Sequence, residues 1–313
     1  MLTRSSGGTT APSSSGTSLS VAWLFDNTTT DSTGNYNGYL VNGATYGTST
    51  SCLQRTNATI NIGSTQLLLT KNYFSGHIDN LRIVTRAKSA SEILSDASLI
   101  AYYSFDLPSP NYDSGPNGLH GSSVNTASVT GRVNQAMRFI GSSSYFQAYG
   151  FYQLGYGVNH HRPFSIALWI NPTSTAPCVF LQQSTTATGG SCINMWGFWT
   201  SSVSTTQTTR IVAQGNGWPA IIGPFITINT WTHILWTFSL ANEYALYVNG
   251  NYFGTLAHFT FSASTAITWL QLGYNFGCSV GYITNAAYQG SIDEVYLYNR
   301  ELSATEVRTL ANP

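Results

Sequence analysis

Charge is what this sequence has least of. Lys and Arg number 12, Asp and Glu number 12, and together they make up 8% of 313 residues. The usual charged share is roughly 25%. The signs cancel, so no basic excess exists to neutralise phosphate, and nucleic acid is excluded as a partner. Disorder is excluded too, because 42% of residues are apolar and 13% aromatic, enough to build a core. Long apolar runs are also missing. The longest, Trp218 to Ile228, is broken by Pro219, Gly223 and Pro224, well short of the ~18 residues of a membrane helix. No apolar h-region opens the chain. Residues 1–19 are a Ser/Thr/Gly-rich tract that reads as a flexible linker. A linker at the first residue implies that a preceding domain is absent from this chain or that the start is misassigned. The missing leader therefore weighs little against a secreted, extracellular protein.

Catalytic patterns are equally scarce. There is no Gly-x-Ser-x-Gly elbow, no Gly-rich phosphate loop between a strand and a helix, and no Cys-x-x-Cys pair for zinc or redox work. Glycoside hydrolysis needs two closely placed carboxylates. The five glutamates, Glu92, Glu243, Glu294, Glu301 and Glu306, form no such pattern. Asp293 and Glu294 are adjacent, so on a regular strand they point to opposite faces. The expectation is a protein that is not an enzyme. His160 and His161 lie in a polar stretch, and His233 fills a strand position.

What is present is Gly, Ser, Thr, Asn, Gln and aromatics, a composition that favours strands and turns. Phe164, Ile166, Leu168 and Ile170 alternate with Ser165, Ala167 and Trp169, a period-2 strand. Tyr244 to Val248 precede Asn249-Gly250, a strong hairpin signal. Many short strands without a long helical period imply stacked antiparallel sheets. Four cysteines occur, Cys52, Cys178, Cys192 and Cys278. A hairpin centred near Thr185 would set Cys178 opposite Cys192; Cys192–Cys278 is the rival pairing, and small buried thiols are the third reading. Two glycosylation triplets, at Asn27 and Asn57, agree with an extracellular home.

The chain also repeats itself. GHIDNLRIVTRAKSASEI at 76–93 matches GSIDEVYLYNRELSATEV at 290–307. Each runs from a strand into a capped helix, with Ser89 and Glu92 or Ser303 and Glu306 as the capping box. Upstream, Phe25-Asp26 and the turn at Asp31 match Phe105-Asp106 and the turn at Asp113. Asp26 to Asp79 spans 53 residues and Asp106 to Asp293 spans 187, so the first copy lacks its middle. The domain reading is therefore a linker at 1–19, a truncated module at 20–97 and a complete one at 98–313. With only 78 residues, the truncated module should expose strand edges.

The segments GRVNQAMRFIGSSSYFQ, FSIALWINP, WTHILWTFSLANEYALYVNG, LQLGYN and GSIDEVYLYNRELSATEV resemble the concanavalin A-like lectin/glucanase superfamily, in its laminin G-like and pentraxin-like branch. The resemblance covers 98–312 in full and 20–97 in part. It implies an all-β antiparallel sandwich, a jelly-roll, preceded by a truncated copy of the same module. Function is not fixed by such a fold. The expectation is a non-enzymatic binding module for glycans or extracellular glycoproteins, with a structural or adhesive spacer that binds protein partners as the alternative. Modules of this branch often bind calcium. Asp293 is in phase with Val295 and Leu297, and Asp79 with Leu81 and Ile83, so each carboxylate needs a partner on an apolar face. Asp106, Asp113 and Asp293 are the candidate Ca²⁺ ligands, with hydrogen bonds that pin the turn as the metal-free reading. The ligand-binding candidates are Trp218, in a Gly/Asn/Pro loop of the kind that carries sites in sandwiches, Tyr152 in an irregular Tyr-rich segment, and Trp199 and Trp196, whose stretch reads equally as a buried strand. Trp169, Trp231, Trp236 and Trp269 are expected in the core.

Overall fold

The computed structural model of the chain describes residues 19–23, 62–63, 74–78, 81–84, 86–155, 162–189, 192–200, 209–215, 220–256, 266–277 and 286–313. Two compact units result, Met1–Ser89 and Ala90–Pro313. In the first, β1 (Leu19–Trp23) pairs antiparallel with β2 (Leu81–Val84). Asp79 and both glycosylation triplets lie outside the described residues.

The second unit opens with α1 (Ala90–Ser98), which follows Ser89 directly and runs without a gap into β3 (Leu99–Tyr103). Next come β4 (Gly121–Val124), β5 (Thr126–Thr130), β6 (Gln135–Phe139), β7 (Tyr145–Phe151) and the short helix α2 (Tyr152–Gly155). The middle holds β8 (Phe164–Pro172), β9 (Cys178–Ser184), β10 (Cys192–Thr200), β11 (Thr209–Gly215) and β12 (Ala220–Phe225). The end holds β13 (Thr232–Ser239), β14 (Glu243–Val248), β15 (Asn251–Leu256), β16 (Thr268–Leu272), β17 (Gly290–Tyr298) and α3 (Ala304–Leu310). These strands form a seven-stranded sheet, β12-β11-β10-β9-β16-β7-β4, and an eight-stranded sheet, β15-β14-β13-β8-β17-β6-β5, to which β3 adds on β17. The ladders within both sheets are antiparallel, so the all-β sandwich expected from the alternation is the fold.

The alternation also fixes the core. Phe164, Ile166, Leu168 and Ile170 of β8 join the cluster between the sheets, as do Leu270 and Leu272 of β16 and Phe146 and Ala148 of β7. Trp196 and Trp236 are fully buried there, their ring centroids 6.2 Å apart. A smaller cluster of Ala167, Leu235, Tyr298, Leu302 and Val307 seats α3 on the outer face of the eight-stranded sheet. That helix carries the expected capping box of Ser303 and Glu306. Arg300 clamps the same carboxylate at 2.6 Å and holds the Glu306 carboxyl down to about 2, aided by Ser303 against a smaller effect of burial. The Asn249-Gly250 turn has φ of 49° and 76°, the double positive value that a type I′ hairpin requires.

One covalent expectation is corrected. Cys192 pairs across the ladder with Ser184, and Cys178 with Phe198. The turn therefore centres near residue 188 rather than 185, and the two cysteines sit at opposite ends of the hairpin. Cys178 is a buried free thiol, pushed up to about 12 by burial. Cys192 is in a disulfide whose partner is outside the described residues, as are Cys52 and Cys278.

Candidate functional site

The three aspartates proposed as calcium ligands all accept hydrogen bonds from N–H groups. Asp113 Oδ1 accepts from the Tyr102 and Gly115 amides at 2.8 and 2.7 Å, and Oδ2 from the Leu119 amide at 2.9 Å. It ties β3 to the 113–121 turn. Asp293 Oδ2 accepts from the Arg132 and Val133 amides at 2.7 and 3.0 Å, and Oδ1 from the Glu294 amide at 2.9 Å. Asp106 accepts from the Gln135 amide and from Asn134 Nδ2. Oxygens ringed by N–H groups sit in positive potential, the reverse of a cation cradle. Among the described residues, no three His, Cys, Asp or Glu side chains group as metal ligands. Burial raises the Asp113 carboxyl against its three donors. Burial likewise pushes the Asp293 carboxyl up to about 7, with the Glu294 charge adding and the Val133, Arg132 and Glu294 amides opposing.

The phase of Asp293 differs from the expectation. Ile292, Val295 and Leu297 face the main core, but a register shift separates Asp293 from Tyr296 in the pairing with β8. Glu294 takes φ of 52° there, which marks a β-bulge. The extra residue carries both carboxylates to the outer face: Asp293 opposes Trp169, and Glu294 accepts from the hydroxyls of Tyr102 at 2.8 Å and Tyr296 at 2.5 Å. The two tyrosine rings stack at 4.3 Å and 5°. Burial raises the Glu294 carboxyl while the two phenols oppose it. Both acids are thus held by fixed donors from β3, β17 and the turn after β5, an arrangement that suits anchoring. Nearby, His233 is buried against Trp169, 5.2 Å between centroids. Burial lowers the His233 imidazole to about 3, so it is neutral at pH 7.

Aromatic candidates divide differently. Trp196 is a core residue, which removes it as a ligand contact; its place on β10 opposite Leu181 fixes it inward. Trp199 occupies the same strand opposite Arg210, and its side chain lies outside the described residues, as do Trp218, His160 and His161. Tyr152 is exposed on α2. Trp269, expected in the core, is on the outer face of the seven-stranded sheet, because its strand turns Leu270 and Leu272 inward. It packs on Tyr149, with centroids 4.7 Å apart and planes at 38°, and Tyr149 is 48% exposed.

Beside this ring pair runs a row of amides. Ser122, Gln147, Gln271 and Gln182 are successive cross-strand partners, and the register continues to Met195 and Gln214. Gln182 Nε2 and Ser184 Oγ both donate to Gln271 Oε1, at 2.9 and 2.8 Å, and Gln271 Nε2 donates to the Ala187 carbonyl. The Oε1 atoms of Gln147 and Gln182 are buried without a hydrogen-bond partner. Such unmet acceptors are uncommon in folded proteins. The signal was in the sequence: Gln147 is in phase with Tyr149, and Gln271 with Trp269.

A family model described as the concanavalin A-like lectin/glucanases superfamily matches residues 121–308. No curated protein matches the sequence. Among solved structures, the chain is similar to domain 4 of an extracellular arabinanase from Geobacillus stearothermophilus, in complex with arabinotriose. Identity is 22%, the TM-score is 0.49, and coverage is 69% of this chain and 98% of that one. A sialidase of Trypanosoma rangeli matches at 16% identity and TM-score 0.49 over 69% of this chain, which spans only 32% of the sialidase. A heptameric pentraxin of Limulus polyphemus matches at 16% identity and TM-score 0.39, covering 48% of this chain and 70% of that one.

Proposed function

The chain belongs to the concanavalin A-like lectin/glucanase superfamily, and we propose that it is a non-enzymatic extracellular module that binds carbohydrate on the outer face of its seven-stranded sheet. The observation that carries this reading is the Tyr149–Trp269 pair beside Gln147. Sugar rings present C–H faces that pack on aromatic rings, and their hydroxyls donate to and accept from amides. The exposed Tyr149 ring supplies the apolar surface. The half-buried Gln147 beside it adds amide polarity, but its Oε1 is itself buried, so the ring carries the contact. Neutral polarity suits a neutral ligand, for which charged side chains would cost desolvation without return.

Recognition in this reading needs no calcium, because Asp106, Asp113 and Asp293 are committed to turns. Calorimetric titration with Ca²⁺ is expected to give no heat and no rise in Tm; a clear rise restores the metal. The lectin reading is tested by a glycan array probed with the full chain and with Tyr149→Ala. Saturable binding that the variant loses supports it. An array that stays blank for the wild type, with and without Ca²⁺, removes it.

A further inference from the structure

We propose a second site on the opposite sheet: a groove that takes a small saccharide bearing a protonated amine. The groove lies between the β14–β15 hairpin and the turn entering α3, on the outer face of the eight-stranded sheet. Its volume is about 560 Å³, and Asn242, Tyr247, Tyr252, Thr255, Glu301 and Ser303 line it. Small-molecule sites range from ~300 to ~1,000 Å³, so the space exceeds what a bare ammonium group needs and suits a saccharide.

The chemistry of the walls selects the charge. Tyr247 and Tyr252 meet at 73° with centroids 5.7 Å apart, and Tyr252 is 58% exposed. Two perpendicular rings form a corner, where a flat platform would suit a neutral sugar better. Glu301 stands in the same groove, and both its oxygens accept from one neutral donor, Asn242 Nδ2, at 3.1 and 3.0 Å. A carboxylate offers about four lone-pair positions, so acceptor capacity remains. Among the described residues no cation pairs with Glu301; the neighbouring Arg300 spends its guanidinium on Glu306 and Ser98. An aromatic corner with an uncompensated carboxylate attracts an organic ammonium by ring quadrupole and by charge. Thr255 Oγ1 donates to the Tyr244 carbonyl at 2.6 Å and keeps lone pairs for a ligand hydroxyl. None of this depends on the glycan reading of the seven-stranded sheet, which uses different residues.

The test is calorimetric titration of the whole chain at about pH 6, where amines of this kind are protonated. The probes are the glucosamine trimer with free amines, its fully N-acetylated form, and tetramethylammonium. The free-amine trimer is expected to bind saturably, and the other two at least ~10-fold more weakly. Glu301→Gln and Tyr252→Ala are each expected to weaken trimer binding ~10-fold or more at unchanged Tm, while Tyr149→Ala leaves it intact. Equal binding of the acetylated trimer overturns the role of charge, and tetramethylammonium binding as tightly as the trimer overturns the saccharide. No binding of the free-amine trimer, or binding indifferent to Glu301→Gln, or binding lost in Tyr149→Ala, overturns the site.

Discussion

The two outer faces of the sandwich carry different polar groups, carboxylates on one and amides on the other. On the eight-stranded sheet, Asp293 and Glu294 are buried and tied down by three amides and two phenols. On the seven-stranded sheet, Gln147, Gln271 and Gln182 form a neutral row beside the exposed Tyr149, and two of its acceptors have no partner. The eight-stranded face carries the architecture: its carboxylates lock β3, β17 and the turn after β5 together, while Trp169 Nε1 and His233 Nδ1 beside them are buried without partners. The seven-stranded face presents the exposed Tyr149 ring, while Gln182 and Gln271 are fully buried. A chain with so little charge has placed several of its acids where they hold strands and turns.

The largest effect that would break this contrast is Asp293→Ala. It leaves the Arg132, Val133 and Glu294 amides without their acceptor and should cost ~3 kcal/mol or more, read by denaturant unfolding. A loss below ~1 kcal/mol contradicts an anchoring role. Gly131→Ala comes next. A methyl there would sit 2.5 Å from Asp293 Oδ2 and 2.7 Å from backbone atoms of Val133 and Gln135, and overpacking of this kind costs ~1–3 kcal/mol. A third prediction concerns pH. The folded Asp293 carboxyl, near 7, lies above its usual unfolded value of about 3.9. The fold therefore holds the proton more tightly than the unfolded chain does. Its contribution is complete below pH ~4 and lost as pH rises toward 7, with Asp113 and Glu294, both raised by burial, acting in the same direction. Scanning calorimetry should show Tm falling from pH 5 to 8, with a shallower fall in Asp293→Asn. A rise in Tm over that range runs against the assigned direction.

How much of this was legible depends on what period-2 arithmetic can see. The sandwich, the β8 core face, the Asn249-Gly250 hairpin and the Ser303–Glu306 cap followed from local pattern, because each is set by residues within a few positions. The bulge at Asp293-Glu294 did not, since an inserted residue changes phase without changing composition, and Glu at positive φ has no sequence mark. The Cys178–Cys192 expectation failed because turn position, three residues off, decides which side chains oppose. Trp269 was legible and misread: Leu270 and Leu272 claim the inward phase, which leaves Trp269 and Gln271 outward. For Trp196 the sequence left ligand contact and a buried strand both open, and the buried strand is the outcome.

The smallest effect on stability accompanies the largest expected effect on function. Tyr149 is half exposed and its ring packs on Trp269 across the strand pair, so Tyr149→Ala should cost about 1 kcal/mol. The most direct measurement is glycan binding by wild type and Tyr149→Ala side by side, well below the Tm of both. The variant is expected to bind at least ~10-fold more weakly, about 1.4 kcal/mol. Equal binding by the two proteins would contradict the lectin reading.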